Sequence, residues 1–231
     1  MKSFDINIDQ GSLVSLILIL LVFVPMLLCV AFMTIIERKA MGSMQRRIGP
    51  NVVGYYGVLQ PFADALKLVV KEQIIPAQSN KALFFLAPMI SLVFSLLGWA
   101  TIPFGSGMAI ADLSLGMLFS LAVSSIGVYG ALFAGWAANS KYAFLGSLRS
   151  TAQMVSYELI FSTCVAAVIL LAGSLNFTTI VEAQTSIWFI VPLFPLFIMY
   201  LISALAELNR TPFDLPEAES ELVSGFMTEH S

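Results

Sequence analysis

Charge is what this sequence most lacks. Of its 231 residues only 11% are Asp, Glu, Lys or Arg, against roughly 25% in an ordinary soluble domain. That shortage excludes nearly every soluble enzyme fold, and also a charge-rich disordered tail. An excess of base is missing too. Eleven Lys and Arg against fourteen Asp and Glu leave a formal charge of −3, which excludes the clustered positive footprint of a nucleic-acid partner. Histidine occurs once, as His230, and the two cysteines, Cys29 and Cys164, each sit in an apolar run without Cys-x-x-Cys spacing. No metal is therefore expected: structural zinc, iron–sulfur clusters and haem all want ligands that this chain does not offer. The thiols read as small hydrophobes. Neither a Gly-x-x-x-x-Gly-Lys run nor a dinucleotide fingerprint occurs, so no nucleotide cradle is expected. If the chain takes part in redox chemistry, its electrons arrive from another subunit.

What is abundant is apolar surface: 58% of residues are hydrophobic and the mean hydropathy is +0.91. No charged side chain occurs between Asp9 and Glu37, Lys81 and Asp112, Asp112 and Lys141, Glu158 and Glu182, or Glu182 and Glu207. Each gap exceeds the roughly 20 residues that cross a bilayer core of about 30 Å as helix. Strands of that length would leave backbone groups unpaired in lipid. The reading is an all-α integral membrane protein: a single membrane domain over 1–231 with five spans near 13–36, 82–104, 113–138, 150–172 and 187–206. The first apolar run is too long for a signal-peptide core and lacks a small-residue cleavage pattern. It reads as a true span that ends at Glu37-Arg38-Lys39.

Seven of the eleven bases lie in the connection 37–81, and Lys141 and Arg149 share that side because two spans intervene. The opposite loops, 105–112 and 173–185, carry no base. Positive-inside logic then sets the N-terminus outside and the segment after Leu205 inside. Within the basic connection, Pro61 opens a stretch 61–72 in which Phe62, Ala65, Leu66, Val69 and Val70 share one helical face, with Asp64, Lys67 and Lys71 opposite. Such a helix suits the inner membrane surface, apolar face down, although a soluble partner's surface would serve the same face. Before it, Arg46 and Arg47 enter a Gly49-Pro50 turn, read as a topology signal that meets anionic lipid head groups. In the third span Gly127, Ala131 and Gly135 form a small-residue ridge for close helix approach, and Gly116, Ser120 and Ser124 form a second row.

The chemistry points to acids. Glu158 falls about two turns inside the fourth span if that helix starts near Ser150, and an ionisable group at that depth costs about 2.5–3.5 kcal/mol on insertion scales. Such a carboxyl serves a pathway, or it is a hydrogen-bonded structural group. Six of the fourteen acids crowd into the acidic inner loop 207–231: Glu207, Asp214, Glu217, Glu219, Glu221 and Glu229, with Arg210 among them. Neighbouring carboxylates raise one another's pKa, so a connected chain of them can pass protons. A solvated acidic loop is the alternative, and the nearby Phe213, Leu215, Leu222, Val223 and Phe226 are an odd lining for one.

Three stretches together, Glu37-Arg38-Lys39, Gln45 to Asp64 ending Leu-Gln-Pro-Phe-Ala-Asp, and Glu207-x-Asn-Arg210-x-Pro-Phe-Asp214-Leu-x-Glu217-x-Glu219-Ser-Glu221-Leu-Val, resemble one family. It is the quinone-chamber membrane subunit of respiratory complex I, present in the bacterial NADH:quinone oxidoreductase and, in mitochondria, as NADH dehydrogenase subunit one. The resemblance runs along the whole chain. It implies a subunit, itself without redox centres, of a proton-translocating NADH:ubiquinone reductase. It also implies that Arg38, Asp64, Glu217, Glu219, Glu221 and Phe226 line or gate the quinone chamber. Glu158, Glu207, Asp214, Glu217 and Glu221 would carry the proton path, and Glu37, Arg46, Arg47 and Arg210 would serve structure or interfaces. Ubiquinone would be the substrate of the complex, with no cofactor bound covalently here. NADH, FMN and iron–sulfur clusters would reside in partner subunits, one of them the iron–sulfur subunit facing the chamber, beside neighbouring membrane-arm subunits and lipids.

Two departures from the family pattern stand out. Its members continue for several more spans, whereas this sequence stops at Ser231. The expectation is a split gene whose second chain supplies the remaining helices, a shortened chain being the rival reading. His230 stands where the pattern has tyrosine. A split gene suits an organellar genome, so the expected place is the mitochondrial inner membrane, N-terminus in the intermembrane space and C-terminus in the matrix, with a bacterial plasma membrane as the alternative. Two other functions compete: a quinone-free membrane anchor of a related hydrogenase, and a proton-coupled transporter subunit, for which Glu158 and the prolines 192 and 195 speak. No matching half-repeat with an interrupted span supports the transporter.

Overall fold

The computed structural model describes residues 8–105, 108–210, 212–215 and 225, with side chains from residue 16 onward. Every regular element among them is helical, as an apolar chain with no water to satisfy its backbone requires. The chain divides into two compact units, Met1–Ile74 and Ile75–Ser231.

The first unit holds α1, Ile8–Met44, and α2, Gln60–Val70. Helix α1 does not stop at Glu37-Arg38-Lys39, as the charges suggest, but continues through 37 residues. Its end is set by backbone geometry. Arg46 takes the left-handed conformation at φ 55, the Arg47 N–H returns to the Gly42 carbonyl at 2.9 Å, and the Arg46 N–H returns to Ser43 at 3.1 Å. These are the two bonds of a Schellman stop, with arginine where glycine is usual. The following turn lies directly on the helix: a Cβ on Gly49 would stand 3.1 Å from the Lys39 Cα. Pro61 sits in the first turn of α2, where its missing N–H costs nothing. The expected apolar face forms, and its far end is open, with Val69 83% and Val70 77% exposed. At the near end the Phe62 ring meets Phe32 of α1 edge-on at 6.0 Å.

The second unit contains α3 (Lys81–Gly98), α4 (Gly116–Ala137), α5 (Lys141–Ala172), α6 (Phe177–Ala183) and α7 (Phe194–Glu207). Asn80 caps α3 through its side chain and its N–H bonds the Ala137 carbonyl, 3.1 Å, while Asn139 donates to the Gln78 carbonyl at 3.2 Å. These bonds tie the start of α3 to the α4–α5 corner. At the other end Asp112 accepts from Asn176 at 2.7 Å and Thr178 at 2.9 Å, joining the two base-free loops. Helices α3, α4 and α5 therefore run antiparallel in chain order.

Glycine contacts set how closely they pack. A Cβ on Gly135 would collide with Ser147 of α5, and one on Gly130 with Ser91 of α3, so Gly130, outside the expected ridge, matters as much as Gly135. Ala131 is half-buried, and at Gly127 a Cβ would meet nothing within 4 Å. The close approach thus sits at the end of the ridge and on the α3 side of the helix. In the second row, Gly116 faces Phe177 and Ser120 bonds its own backbone at Met117.

Among the described residues four helical stretches are long and apolar enough to cross a membrane: Leu16–Met44, Lys81–Thr101, Gly116–Ala137 and Lys141–Ala172. The region expected as a fifth span differs. Helix α7 covers 14 residues, with proline in its first turn, preceded by turns over 189–193, so it is about 21 Å long against about 30 Å of hydrocarbon. The prolines delay its start. Helix α5 departs the other way, beginning at Lys141 and running 32 residues.

Candidate functional site

Glu158 is deeper in its helix than the expected start at Ser150 suggests. From Lys141 it lies 17 positions along α5, about 25 Å at 1.5 Å per residue. Its partner is the middle of α4: the Ser125 hydroxyl lies 2.5 Å from Glu158 Oε1 and 3.1 Å from its own Leu121 carbonyl. The adjacent hydroxyl, Ser124, donates to Glu207 Oε1 at 2.8 Å. Consecutive residues on a helix point about 100° apart, so one Ser-Ser step addresses α5 and α7 at once. Both carboxylates are half-buried in this unit. The serines were invisible as partners in the sequence, where Ser124 reads as packing. The signal was there nonetheless: two adjacent hydroxyls midway through an apolar helix.

The end of α7 is held from α5. Gln153, 5% exposed, donates through Nε2 to the Ala206 carbonyl at 2.7 Å and the Phe213 carbonyl at 2.8 Å. Asn209 is left-handed at φ 49, its N–H bonding Ala206 at 3.2 Å and the Arg210 N–H reaching Leu205 at 3.4 Å. This is a second Schellman stop, made by the residue type that tolerates the conformation best after glycine. Tyr157 packs edge-on against Phe213 at 5.4 Å, and the Phe161 and Tyr200 rings lie 4.8 Å apart. Gln153 and Asn209 went unnoticed in the sequence, although a glutamine five residues before an intramembrane glutamate is the kind of polar residue that an apolar helix rarely carries.

In the first unit, two residues that the sequence singles out separately come together. Arg38 Nη1 donates to Asp64 Oδ2 at 2.8 Å, and Gln60 Nε2 donates to Asp64 Oδ1 at 3.0 Å. Both hydrogen bonds stabilise the carboxylate, that from Arg38 most, and together they hold Asp64 below the usual carboxylate range. Lys39 Nζ reaches the Tyr56 carbonyl and lies 5.8 Å from the Tyr56 ring centre. Arg47 Nε bonds Gln45 at 2.7 Å. Glu37 and Arg46 stand in the last turns and the stop of α1.

Arg210 and Asp214 follow α7 in the turn that Gln153 grips. The sequence candidates Glu217, Glu219, Glu221 and Phe226, like His230, lie outside the described residues. Among the described residues no group of three or more His, Cys, Asp or Glu is placed to hold a metal ion. Two acids of different helices do stand on neighbouring hydroxyls, and each such carboxyl can bind a proton.

A sequence model described as NADH dehydrogenase matches residues 17–231. NADH-ubiquinone oxidoreductase chain 1 of Mycosarcoma maydis is 74% identical over 219 residues, covering 95% of this chain and 66% of that one. The protein of the same name from Podospora anserina is 63% identical over 95% of this chain and 60% of its own length. A bacterial NADH-quinone oxidoreductase subunit, from Rhodospirillum centenum, is 56% identical over 98% of this chain and 68% of its own. The chain thus spans about two thirds, or somewhat less, of the length of the fungal relatives it matches.

Proposed function

Because the chain belongs to the NADH dehydrogenase family, we propose that it acts as a membrane subunit of a proton-translocating NADH:ubiquinone oxidoreductase. In this reading ubiquinone is the substrate. NADH oxidation, FMN and the iron–sulfur clusters belong to partner subunits, with the iron–sulfur subunit that faces the quinone among them. The relatives compared above are fungal and bacterial, and the fungal identity of 74% favours the mitochondrial inner membrane over a bacterial plasma membrane, with the base-rich connections on the matrix side.

The observation that carries the reading is the pair of acids on Ser124 and Ser125. A carboxylate in a membrane interior is costly and marks a pathway by default. Two of them beside one another make charge on one depend on charge on the other. Reduction of a quinone adds two electrons, and until two protons follow, the site carries up to two extra negative charges; protons drawn from neighbouring carboxylic acids leave that charge on them instead. In a low-dielectric interior a neighbouring carboxyl answers such a change by gaining or losing a proton. Glu158 and Glu207 are the proton-handling groups of the second unit, and Asp214, Glu217 and Glu221 extend the acids along the chain. Arg38 and Asp64 serve the quinone in the first unit: an ion pair at the end of an apolar helix offers a polar stop to a headgroup whose tail is oil.

The test is reconstitution of the complex into vesicles with Glu158→Gln and Glu207→Gln, reading protons moved per NADH oxidised. The expected result is a lower ratio or loss of turnover in both variants, and in Glu217→Gln and Glu221→Gln. Normal stoichiometry and rate in all four would overturn the proton path. A normal KM for short-tailed quinone in Arg38→Ala would separately overturn the quinone assignment.

A further inference from the structure

Two buried acceptors without a donor stand where α5 meets the end of α7. Gln153 Oε1 and Asn209 Oδ1 are both shielded from solvent and accept no hydrogen bond from any described residue. Turning the Gln153 amide over does not relieve it, since Nε2 already serves two carbonyls, at 2.7 and 2.8 Å. The flipped oxygen would face both of them. Turning Asn209 over would reverse its contact with the Ser150 hydroxyl, at 3.5 Å, and present Nδ2 where Oδ1 now stands. Ser150 and Gln153 stand one turn apart on α5, and Asn209 bonds the same Ala206 carbonyl that Gln153 holds. The two side chains that carry the orphan oxygens thus meet at one carbonyl, beside the Tyr157–Phe213 ring contact.

We infer that this corner is a binding site for a single buried water, which donates one hydrogen to Gln153 Oε1 and the other to Asn209 Oδ1. The donor count selects the occupant. Two acceptors ask for two hydrogens, and water supplies both from one atom, at a polar site of the kind buried waters occupy. A bare cation fits poorly, because two neutral carboxamides bring no charge to offset its burial. The water completes a clasp on the Schellman stop directly after Glu207, so it helps fix the register in which that carboxyl meets Ser124. Gln153 and Asn209 act here as positioning residues, through the helix end and not on any proton or substrate.

The experiment is cryo-electron microscopy of the chain in the assembly with which it is purified from its native membrane, at a resolution that shows ordered water. The expected result is an isolated peak within about 2.7–3.2 Å of both oxygens. Side-chain or lipid density at that point, or an empty corner while nearby waters are resolved, overturns the site. A second map, of Asn209→Leu, is expected to lose the peak while Gln153 keeps its bond to the Phe213 carbonyl. A peak that persists in that variant overturns the bridge. If the variant does not assemble, the native map decides alone.

Discussion

Glu158 and Glu207 come from different helices yet hang from consecutive hydroxyls of α4, Ser125 at 2.5 Å and Ser124 at 2.8 Å. The arrangement makes the two acids a linked pair without any direct bond between them. A hydroxyl can donate to a carboxylate or accept from a carboxylic acid, so each serine follows its acid through a change of protonation.

Replacing either serine with alanine should therefore cost function more than stability. Side-chain hydrogen bonds between membrane helices average about 0.6 kcal/mol and reach about 1.7 kcal/mol. We expect Ser124→Ala and Ser125→Ala to lower unfolding free energy by no more than about 2 kcal/mol in mild detergent, while proton translocation falls clearly. A double-mutant cycle of Ser124→Ala with Glu207→Gln should show coupling, and additive effects on stability and translocation would speak against the contact.

The Arg38–Asp64 pair carries a pH dependence whose sign is fixed. Asp64 is held below its ordinary value, chiefly by the Arg38 hydrogen bond, so its contribution is present above the unfolded pKa near 4. It is lost as pH falls through the lower folded value. Amide exchange over 60–70 should be unchanged between pH 5 and 8 and should quicken below about pH 4, relative to the intrinsic rate. Asp64→Asn should show the faster exchange at every pH. Because Arg38 is half-exposed, high salt should weaken the effect.

Arg46 spends backbone strain to end α1. A non-glycine residue at φ 55 costs about 1–2 kcal/mol relative to glycine. Arg46→Gly should therefore raise the stability of the first unit by about 1 kcal/mol, read as a higher midpoint of thermal unfolding. Gly57→Ala should do the reverse and by more, since Gly57 has φ 73 and a Cβ there would strike the Pro50 carbonyl.

Glycine substitutions on α4 should sort by contact and not by the sequence ridge. Gly130→Val and Gly135→Val push side-chain atoms into Ser91 and Ser147 and should cost about 1–3 kcal/mol as overpacking. Gly127→Ala, with open space around it, should be neutral or slightly stabilising, as alanine favours helix. Equal losses at all three positions would contradict the packing.

Much of this was legible beforehand, because lipid leaves few choices. Charge-free gaps mark where helices must lie, and Pro61 with the 62, 65, 66, 69, 70 spacing marks α2, which forms over Gln60–Val70. Helix ends were not legible. The charges at Glu37–Lys39 look like a boundary, but the stop depends on Arg46 accepting a left-handed backbone, which side-chain chemistry does not advertise. The short α7 and the extra turn of helix at Phe177–Ala183 depend on prolines and on an Asn176 cap inside runs whose hydropathy alone looks continuous. The acids stood out as charges in oil. Their serine partners and the Gln153 clasp were harder to read, because a sequence marks such polar residues in an apolar helix without saying which group on another helix each one meets.

The length of α5 has a mechanical consequence. Thirty-two residues make a rod of about 48 Å, well beyond about 30 Å of oil, so even when strongly tilted it stands proud of the bilayer at one end. The rod is pinned to α4 where Ser147 fills the notch at Gly135, and Glu158 rides on it three turns further in. One unbroken helix therefore joins the Lys141 end, 17 positions away, to Glu158.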